Sequence, residues 1–140
     1  MKRSGASIIL QNSRNEVLLF LRDDKPDIPY PNFWDLPGGH VEDDETPEMC
    51  IRREMLEEIE TDVSDCRRHA VYDFPDRIEC LFFMEFEAET DTIPLHEGQR
   101  LQWFTETEIP WNRLAYGFDL VLRDFFAGRK RSDDDTPPYS

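Results

Sequence analysis

The segment from Thr46 to Glu60 constrains the fold more than any other part of the chain. Thr46 is a favourable helix N-cap residue and Pro47 suits the first helical position, so a helix is predicted to begin here. At about 100° per residue, its apolar side chains share one continuous face: Met49, Ile51, Met55, Leu56 and Ile59. Such a helix must pack on another element, and strand-like segments precede and follow it.

Most of the remaining segments are predicted to be strands, namely residues 5–11, 16–22, 33–36, 69–74, 78–88 and 100–104. Turn residues separate the first two strands, and Pro75-Asp76 lies between the fourth and fifth, so each pair is predicted to be a hairpin. Residues 114–127 are predicted to form a final amphipathic helix that ends at Gly128. The order predicts one mixed α/β domain over residues 1–128, followed by a disordered tail, 129–140.

Charge and composition exclude several classes of partner. A formal net charge of −15 argues against nucleic acid and against an anionic membrane surface. No apolar run approaches the roughly 20 residues of a membrane span, and the run Ile8 to Leu10 is too short for a signal peptide. The chain has three cysteines without CxxC spacing, which favours reduced thiols and a cytoplasmic location. The assembly state is left open, with a homodimer as one option.

Three glutamates form a cluster beside the apolar face of the predicted helix. With Glu54 as the origin, Glu58 falls near +40° and Glu57 near −60°, an arc of about 100°. Like charges at these spacings repel, and a cation between them would remove the repulsion and use carboxylate oxygens as hard ligands. The alternative is an ordinary solvated acidic helix face.

A longer pattern favours the cation site. The chain reads Gly-x5-Glu-x7-Arg-Glu-Met-x-Glu-Glu, with its named positions at Gly39, Glu45, Arg53, Glu54, Met55, Glu57 and Glu58. This pattern resembles the Nudix box of the Nudix hydrolase superfamily. Glu60 and Thr61 depart from the glycine and the aliphatic residue that close the box; those positions end and pack the helix and carry no chemistry. The resemblance covers about residues 5–126 and implies the Nudix α/β/α sandwich with a mixed sheet.

The resemblance also implies an activity and roles for individual residues. The activity is hydrolysis of a pyrophosphate bond in a nucleoside diphosphate linked to a further group X, with Mg²⁺ or alternatively Mn²⁺ as cofactor and a small nucleotide as substrate. The implied ion pair is Arg53 with Glu45, and the general base is either Glu54 or Glu97, which lies in a His-Glu-Gly-Gln loop. The implied metal ligands are the Gly38 carbonyl, Glu54, Glu57, Glu58 and Glu97.

Four residues outside the glutamate cluster are candidates for binding substrate. Arg22 and His40 could hold phosphate, while Trp34 and Tyr116 could contact the base. For each, the alternative is a structural role in the core or on the surface. The branch of the family that removes oxidised triphosphates reads its purine with an Asn near the last helix, and Asn112 looks out of register for this. A different class of function is a non-catalytic nucleotide or nucleotide-sugar sensor on the same fold.

Overall fold

A computed structural model describes the backbone of residues 2–139 and the side chains of residues 2–129. Its strands are β1 (Arg3–Gln11), β2 (Val17–Leu21), β3 (Trp34–Asp35), β4 (Gly38–His40), β5 (Arg67–Asp73), β6 (Arg77–Glu85) and β7 (Arg100–Phe104). Its helices are α1 (Pro47–Ile59) and α2 (Phe118–Tyr139), with short 3-10 helices at Thr90–Thr92 and Trp111–Arg113. No helix in the described part of the chain is both long and apolar enough to cross a bilayer.

One mixed sheet contains all seven described strands. Its main path is β3-β2-β1-β6-β5; β4 also pairs with β1, and β7 pairs with β2. The predicted hairpins β1–β2 and β5–β6 are both present and antiparallel. The pairing at the centre, β1 with β6, is parallel and runs from Arg3↔Arg77 to Gln11↔Glu85. Such a pairing requires a long crossover, and α1 lies within it.

The sheet is buried on both faces, because each face carries one helix. Side chains alternate along β1, so Ile9 faces α2 while Ile8 and Leu10 face α1. The core under α1 includes four residues of that helix, Cys50, Ile51, Met55 and Ile59. The core under α2 includes Val121, Leu122, Phe125 and Phe126. These layers are the α/β/α sandwich that the resemblance predicts.

The predicted ends of the last helix are wrong. Leu114 forms a bridge with Trp34, and Tyr116 and Gly117 have φ of 58° and 77°, so the helix begins only at Phe118. The helix also does not end at Gly128, because its backbone continues to Tyr139. The tail predicted over 129–140 lies, beyond Arg129, outside the residues whose side chains are described, and it stays a prediction.

Candidate active site

A cleft of about 690 Å³ opens between α1 and the sheet, and residues of the central strands β1 and β6 line part of it. One wall consists of β4, the carboxylate face of α1 and the loop before β7, and it presents Gly38, Gly39, His40, Arg53, Glu54, Glu57, Glu58 and Glu97. The remaining lining, the polar wall, includes Ser7, Arg22, Asp35, Arg77, Glu79, Tyr116 and Phe118. The structure therefore brings the predicted metal-ligand residues to a single cleft.

Two consecutive glycines allow β4 to lie between β1 and α1. A Cβ on Gly38 would lie 2.2 Å from the Ala6 carbonyl oxygen, and a Cβ on Gly39 would lie 2.3 Å from Cδ of Glu54. Both distances are far inside van der Waals contact, so a larger residue at either position would force the backbone or the glutamate to move. The glycines thus bring the β4 backbone against the carboxylate of Glu54.

Arg53 is the centre of an ion-pair network at the mouth of the cleft. Its Nε and Nη2 donate to the two carboxylate oxygens of Glu45 at 2.6 and 3.0 Å, a bidentate pair. These bonds lower the pKa of Glu45 to about 2 and raise the pKa of Arg53. Arg53 Nη1 also donates to Glu54 at 2.9 Å and to Glu57 at 3.3 Å. The guanidinium therefore connects the acidic loop before α1 to two of the three clustered glutamates.

Glu58 is only 8% exposed and is the most buried of the four glutamates predicted to bind metal. Phe20, Pro37 and Leu95 are among the side chains that surround it. Burial, with the carboxyl groups of Glu97 and Glu54 next in importance, raises the pKa of Glu58 to about 10. Removal of the carboxylate from water and repulsion by its neighbours both act against its charge, and a proton or a cation relieves both.

The donor set suits a hard divalent cation, although the side chains do not surround one as they stand. Carboxylate oxygens and a backbone carbonyl are the ligands that Mg²⁺ takes, and buried like charges are stabilised by such an ion. Within the part of the chain whose side chains are described, no three His, Cys, Asp or Glu side chains converge closely enough to hold a metal ion. Two of the carboxylates, those of Glu54 and Glu57, instead bind the guanidinium of Arg53.

Two arginine–carboxylate pairs, one partly buried and one buried, lie in the polar wall. Arg22 Nη1 donates to Asp35 at 3.0 Å, and its Nε donates to the Pro29 carbonyl oxygen at 3.0 Å. Burial raises the pKa of Asp35 to about 7 even though Arg22 acts in the opposite direction. Arg77 Nε donates to Glu79 at 2.6 Å. This wall is polar, and its charges are already paired.

Comparison with known proteins places the chain in a family. A sequence model of the NUDIX domain matches residues 1–125. The chain belongs to the NUDIX domain family. An 8-oxo-dGTP diphosphatase of Proteus vulgaris is 45% identical over 62 residues, which are 42% of this chain and 55% of that protein. An RNA pyrophosphohydrolase of Zymomonas mobilis is 32% identical over 108 residues, 73% of this chain and 61% of that protein. The chain therefore spans just over half of the length of these relatives.

A solved structure shows the same architecture. The NUDIX hydrolase from Nitrosomonas europaea superposes with a TM-score of 0.72 at 26% identity, over 93% of this chain and 73% of that one. Its fold supports the sandwich that we describe for this NUDIX domain.

The predicted substrate contacts of the NUDIX domain are only partly brought together. Arg22, His40 and Tyr116 line the cleft, but the Tyr116 ring already packs against Arg22, with the guanidinium carbon 5.1 Å from the ring centroid. Trp34 does not reach the cleft. It is 8% exposed and packs edge-on against Phe104 with 4.9 Å between ring centroids, because it lies on the face of β3 that points into the core under α2. We therefore correct its predicted contact with the base.

Sequence reasoning missed the polar wall of the NUDIX cleft. Asp35, Arg77 and Glu79 are buried charged residues on strands, and Ser7 Oγ donates to Glu79 at 2.7 Å. A signal was present, since Asp35 is the one charged residue of the predicted strand 33–36, and Glu79 lies between apolar Ile78 and Cys80. A charge in such a position is retained only when it is paired, which is a reason to search for its partner.

Proposed function

We propose that this NUDIX domain hydrolyses a pyrophosphate bond in a small nucleoside diphosphate linked to X, with Mg²⁺ or Mn²⁺ bound at the glutamate cluster. The observation that carries the proposal is the buried Glu58 with Glu54 and Glu97 beside it, in a cleft large enough for a nucleotide. The names of the two relatives, a diphosphatase and a pyrophosphohydrolase, support this reaction class.

The charge of the cleft supports a requirement for divalent cations. Its lining includes four arginines, of which Arg22, Arg53 and Arg77 are paired with carboxylates. The same lining includes eight carboxyl groups: Asp35, Glu42, Glu54, Glu57, Glu58, Asp76, Glu79 and Glu97. A polyphosphate would be repelled by this surface, and cations on the carboxylates would reverse the local field.

Each residue of the cluster has a proposed task. Glu54, Glu57, Glu58 and Glu97, with the Gly38 carbonyl, would hold the metal, which when bound neutralises phosphate oxygens and lowers the pKa of a water. Arg53 and Glu45 orient the cluster, because their bidentate pair fixes the guanidinium that contacts Glu54 and Glu57. Either Glu54 or Glu97 takes the proton from the attacking water.

The substrate class follows from size and charge. A net charge of −15 disfavours a basic path along which the body of an RNA could lie, so we propose a free nucleotide as substrate. Three cysteines without CxxC spacing favour reduced thiols, so we propose a cytoplasmic site of action. The RNA pyrophosphohydrolase relative acts, by its name, on RNA, and a 5′-triphosphate RNA therefore belongs among the substrates to be tested.

The test is hydrolysis by purified protein in millimolar Mg²⁺ of nucleoside triphosphates, nucleotide sugars, dinucleotides and 5′-triphosphate RNA. Products should be a nucleotide with phosphorylated X, or with pyrophosphate, and ¹⁸O from labelled water should enter a product phosphate. The variant that tests the site is Glu58→Gln, which should lose activity. Its matched control is Glu48→Gln on the same helix, because the Glu48 carboxylate binds Arg68 outside the cleft. Saturable nucleotide binding without turnover would reject the hydrolase and favour the sensor.

A further inference from the structure

Glu60 has a backbone conformation that normally selects glycine. It follows the last residue of α1 and has φ 51° and ψ 40°, in the left-handed region. Its N–H donates to the Leu56 carbonyl oxygen at 3.2 Å, which is the bond of an αL helix cap. The N–H of Thr61 donates to the Met55 carbonyl oxygen at 3.1 Å. Glu60 stands at the position where the Nudix box has glycine. The helix ends as the box requires, but with a side chain whose Cβ is strained there.

The side chain of Glu60 contacts the loop that carries Glu97. His96 Nε2 donates to a carboxylate oxygen of Glu60 at 2.5 Å. The backbone N–H of His96 donates to the carbonyl oxygen of Glu58 at 2.8 Å. Two bonds therefore attach His96 to the C-terminal end of α1, one residue before Glu97.

The other side of the loop is attached to β2. Gly98 has φ +86°, and a Cβ there would lie 2.8 Å from the Leu21 carbonyl oxygen, so the loop backbone runs directly against the strand. The N–H of Gln99 donates to the same oxygen at 2.8 Å, and its side chain donates to the Arg22 carbonyl oxygen at 2.7 Å. Glu97 lies between the two attachments and lines the cleft beside Glu58.

We propose that Glu60 is a positioning residue, whose carboxylate holds His96 and thereby sets where Glu97 lies against Glu58. The expected effect on kcat rests on the proposed function, because it requires that the domain hydrolyses a substrate. A positioning role explains why a glutamate occupies a position where glycine would be less strained. The side chain adds a contact between helix and loop that a glycine could not make.

The first test compares three variants. Glu60→Gly relieves the backbone strain, so Tm should stay equal or rise. It also removes the carboxylate that holds His96, so kcat at saturating Mg²⁺ should fall about tenfold. This loss lies between the small effect of an exposed ion pair and the roughly 100-fold effect of a 1 Å misplacement. Glu60→Gln keeps an acceptor for His96 and should retain most of kcat. The matched backbone control is Asn15→Gly, at φ 60° in the β1–β2 turn, which should leave kcat unchanged. Wild-type kcat in Glu60→Gly, or parallel losses of Tm and kcat, would overturn the proposal.

The second test asks whether Glu60 acts through Glu97. In a Glu97→Gln background, Glu60→Gly should cause no further loss of kcat, whereas an additive loss would show an independent effect and overturn the proposal. Mn²⁺ binding, followed by EPR without substrate, should be weakened by Glu60→Gly in the wild-type background and unaffected by it in Glu97→Gln. This titration needs no turnover, so it tests the positioning role even if the wild type hydrolyses nothing in the panel. Absence of hydrolysis would reject the proposed function and leave the positioning role to be decided by the titration.

Discussion

Glu58 is the residue on which the proposed chemistry depends most directly. Its carboxyl group is buried, and Glu54 and Glu97 contribute to a pKa of about 10. We expect Glu58→Gln to lower kcat by about 10²- to 10⁴-fold, the range for loss of a main electrostatic or acid–base contribution. The metal-free variant should unfold at the same or a higher urea concentration, because a repelled carboxyl group is gone. Steady-state kinetics and urea denaturation measure both; wild-type turnover would contradict the assignment.

Asp35 predicts a pH dependence of stability. Burial raises its pKa from 3.8 to about 7, so between these values the folded state binds a proton that the unfolded state releases. The free energy of unfolding therefore contains a contribution that falls as pH rises through this range, with a slope of at most about 1.4 kcal/mol per pH unit. Asp35→Asn should reduce the slope of the free energy of unfolding against pH in this range. Loss of the ion pair with Arg22 lowers the free energy of unfolding by a constant amount and does not change that slope.

The measurement for Asp35 is urea denaturation at several pH values for wild type and variant. The control is Asp65→Asn, which changes an exposed carboxyl group in the loop before β5 and should leave the slope as it is. An unchanged slope in Asp35→Asn would show that Arg22 keeps the carboxylate ionised throughout.

At the level of elements, the first turn of α1 is predicted to depend on its cap. Thr46 Oγ1 accepts a hydrogen bond from the N–H of Met49 at 3.1 Å. Thr46→Ala should lower the free energy of unfolding by about 1 kcal/mol, while Thr46→Ser, which keeps the acceptor, should lower it much less. Both are measured by urea denaturation, and equal values for the two variants would show that the cap is not stabilising.

How far the elements could be predicted depends on how local their causes are. The start of α1, strand β7 and the two hairpins follow from cap residues, alternation and turns near them in sequence. Strand β4 was missed because glycines have no side-chain pattern, and it is held by pairing with Gly5–Ser7. The glutamate cluster was predictable from helix geometry alone. The polar wall was not, because the approach of Asp35, Arg77 and Glu79 depends on pairing between distant strands.

For the whole molecule, we expect metal to govern activity and not folding. Chelator should abolish hydrolysis, because carboxyl groups outnumber arginines in the cleft by eight to four and repel a polyphosphate when no cation is bound. The fold should persist, since α1 is held by Cys50, Ile51, Met55 and Ile59 in its own apolar core. Far-UV circular dichroism and an activity assay, each with and without EDTA, test this. Unfolding by EDTA would indicate a structural metal instead.

Specificity is also a property of the whole cleft. Asn112 lies in the 3-10 helix Trp111–Arg113 and is not among the described residues that line the cleft. We therefore expect no strong preference for 8-oxo-dGTP over dGTP, meaning a kcat/KM ratio below about 100, or about 2.7 kcal/mol. Competition kinetics with both nucleotides measure the ratio. A larger value would show that a residue other than Asn112 reads the oxidised base.

The parallel pairing of β1 with β6 has a consequence for the order of folding. Ser7 on β1 and Glu79 on β6 meet in the cleft only through this pairing, and α1 and β5 lie between them in the sequence. Contacts across so long a separation are slow to form, since loop closure precedes the stabilising contacts. The α1 cap and the β5–β6 hairpin are local and can form earlier. We therefore expect the cleft, and with it the proposed catalysis, to be completed only when the central strand pair forms.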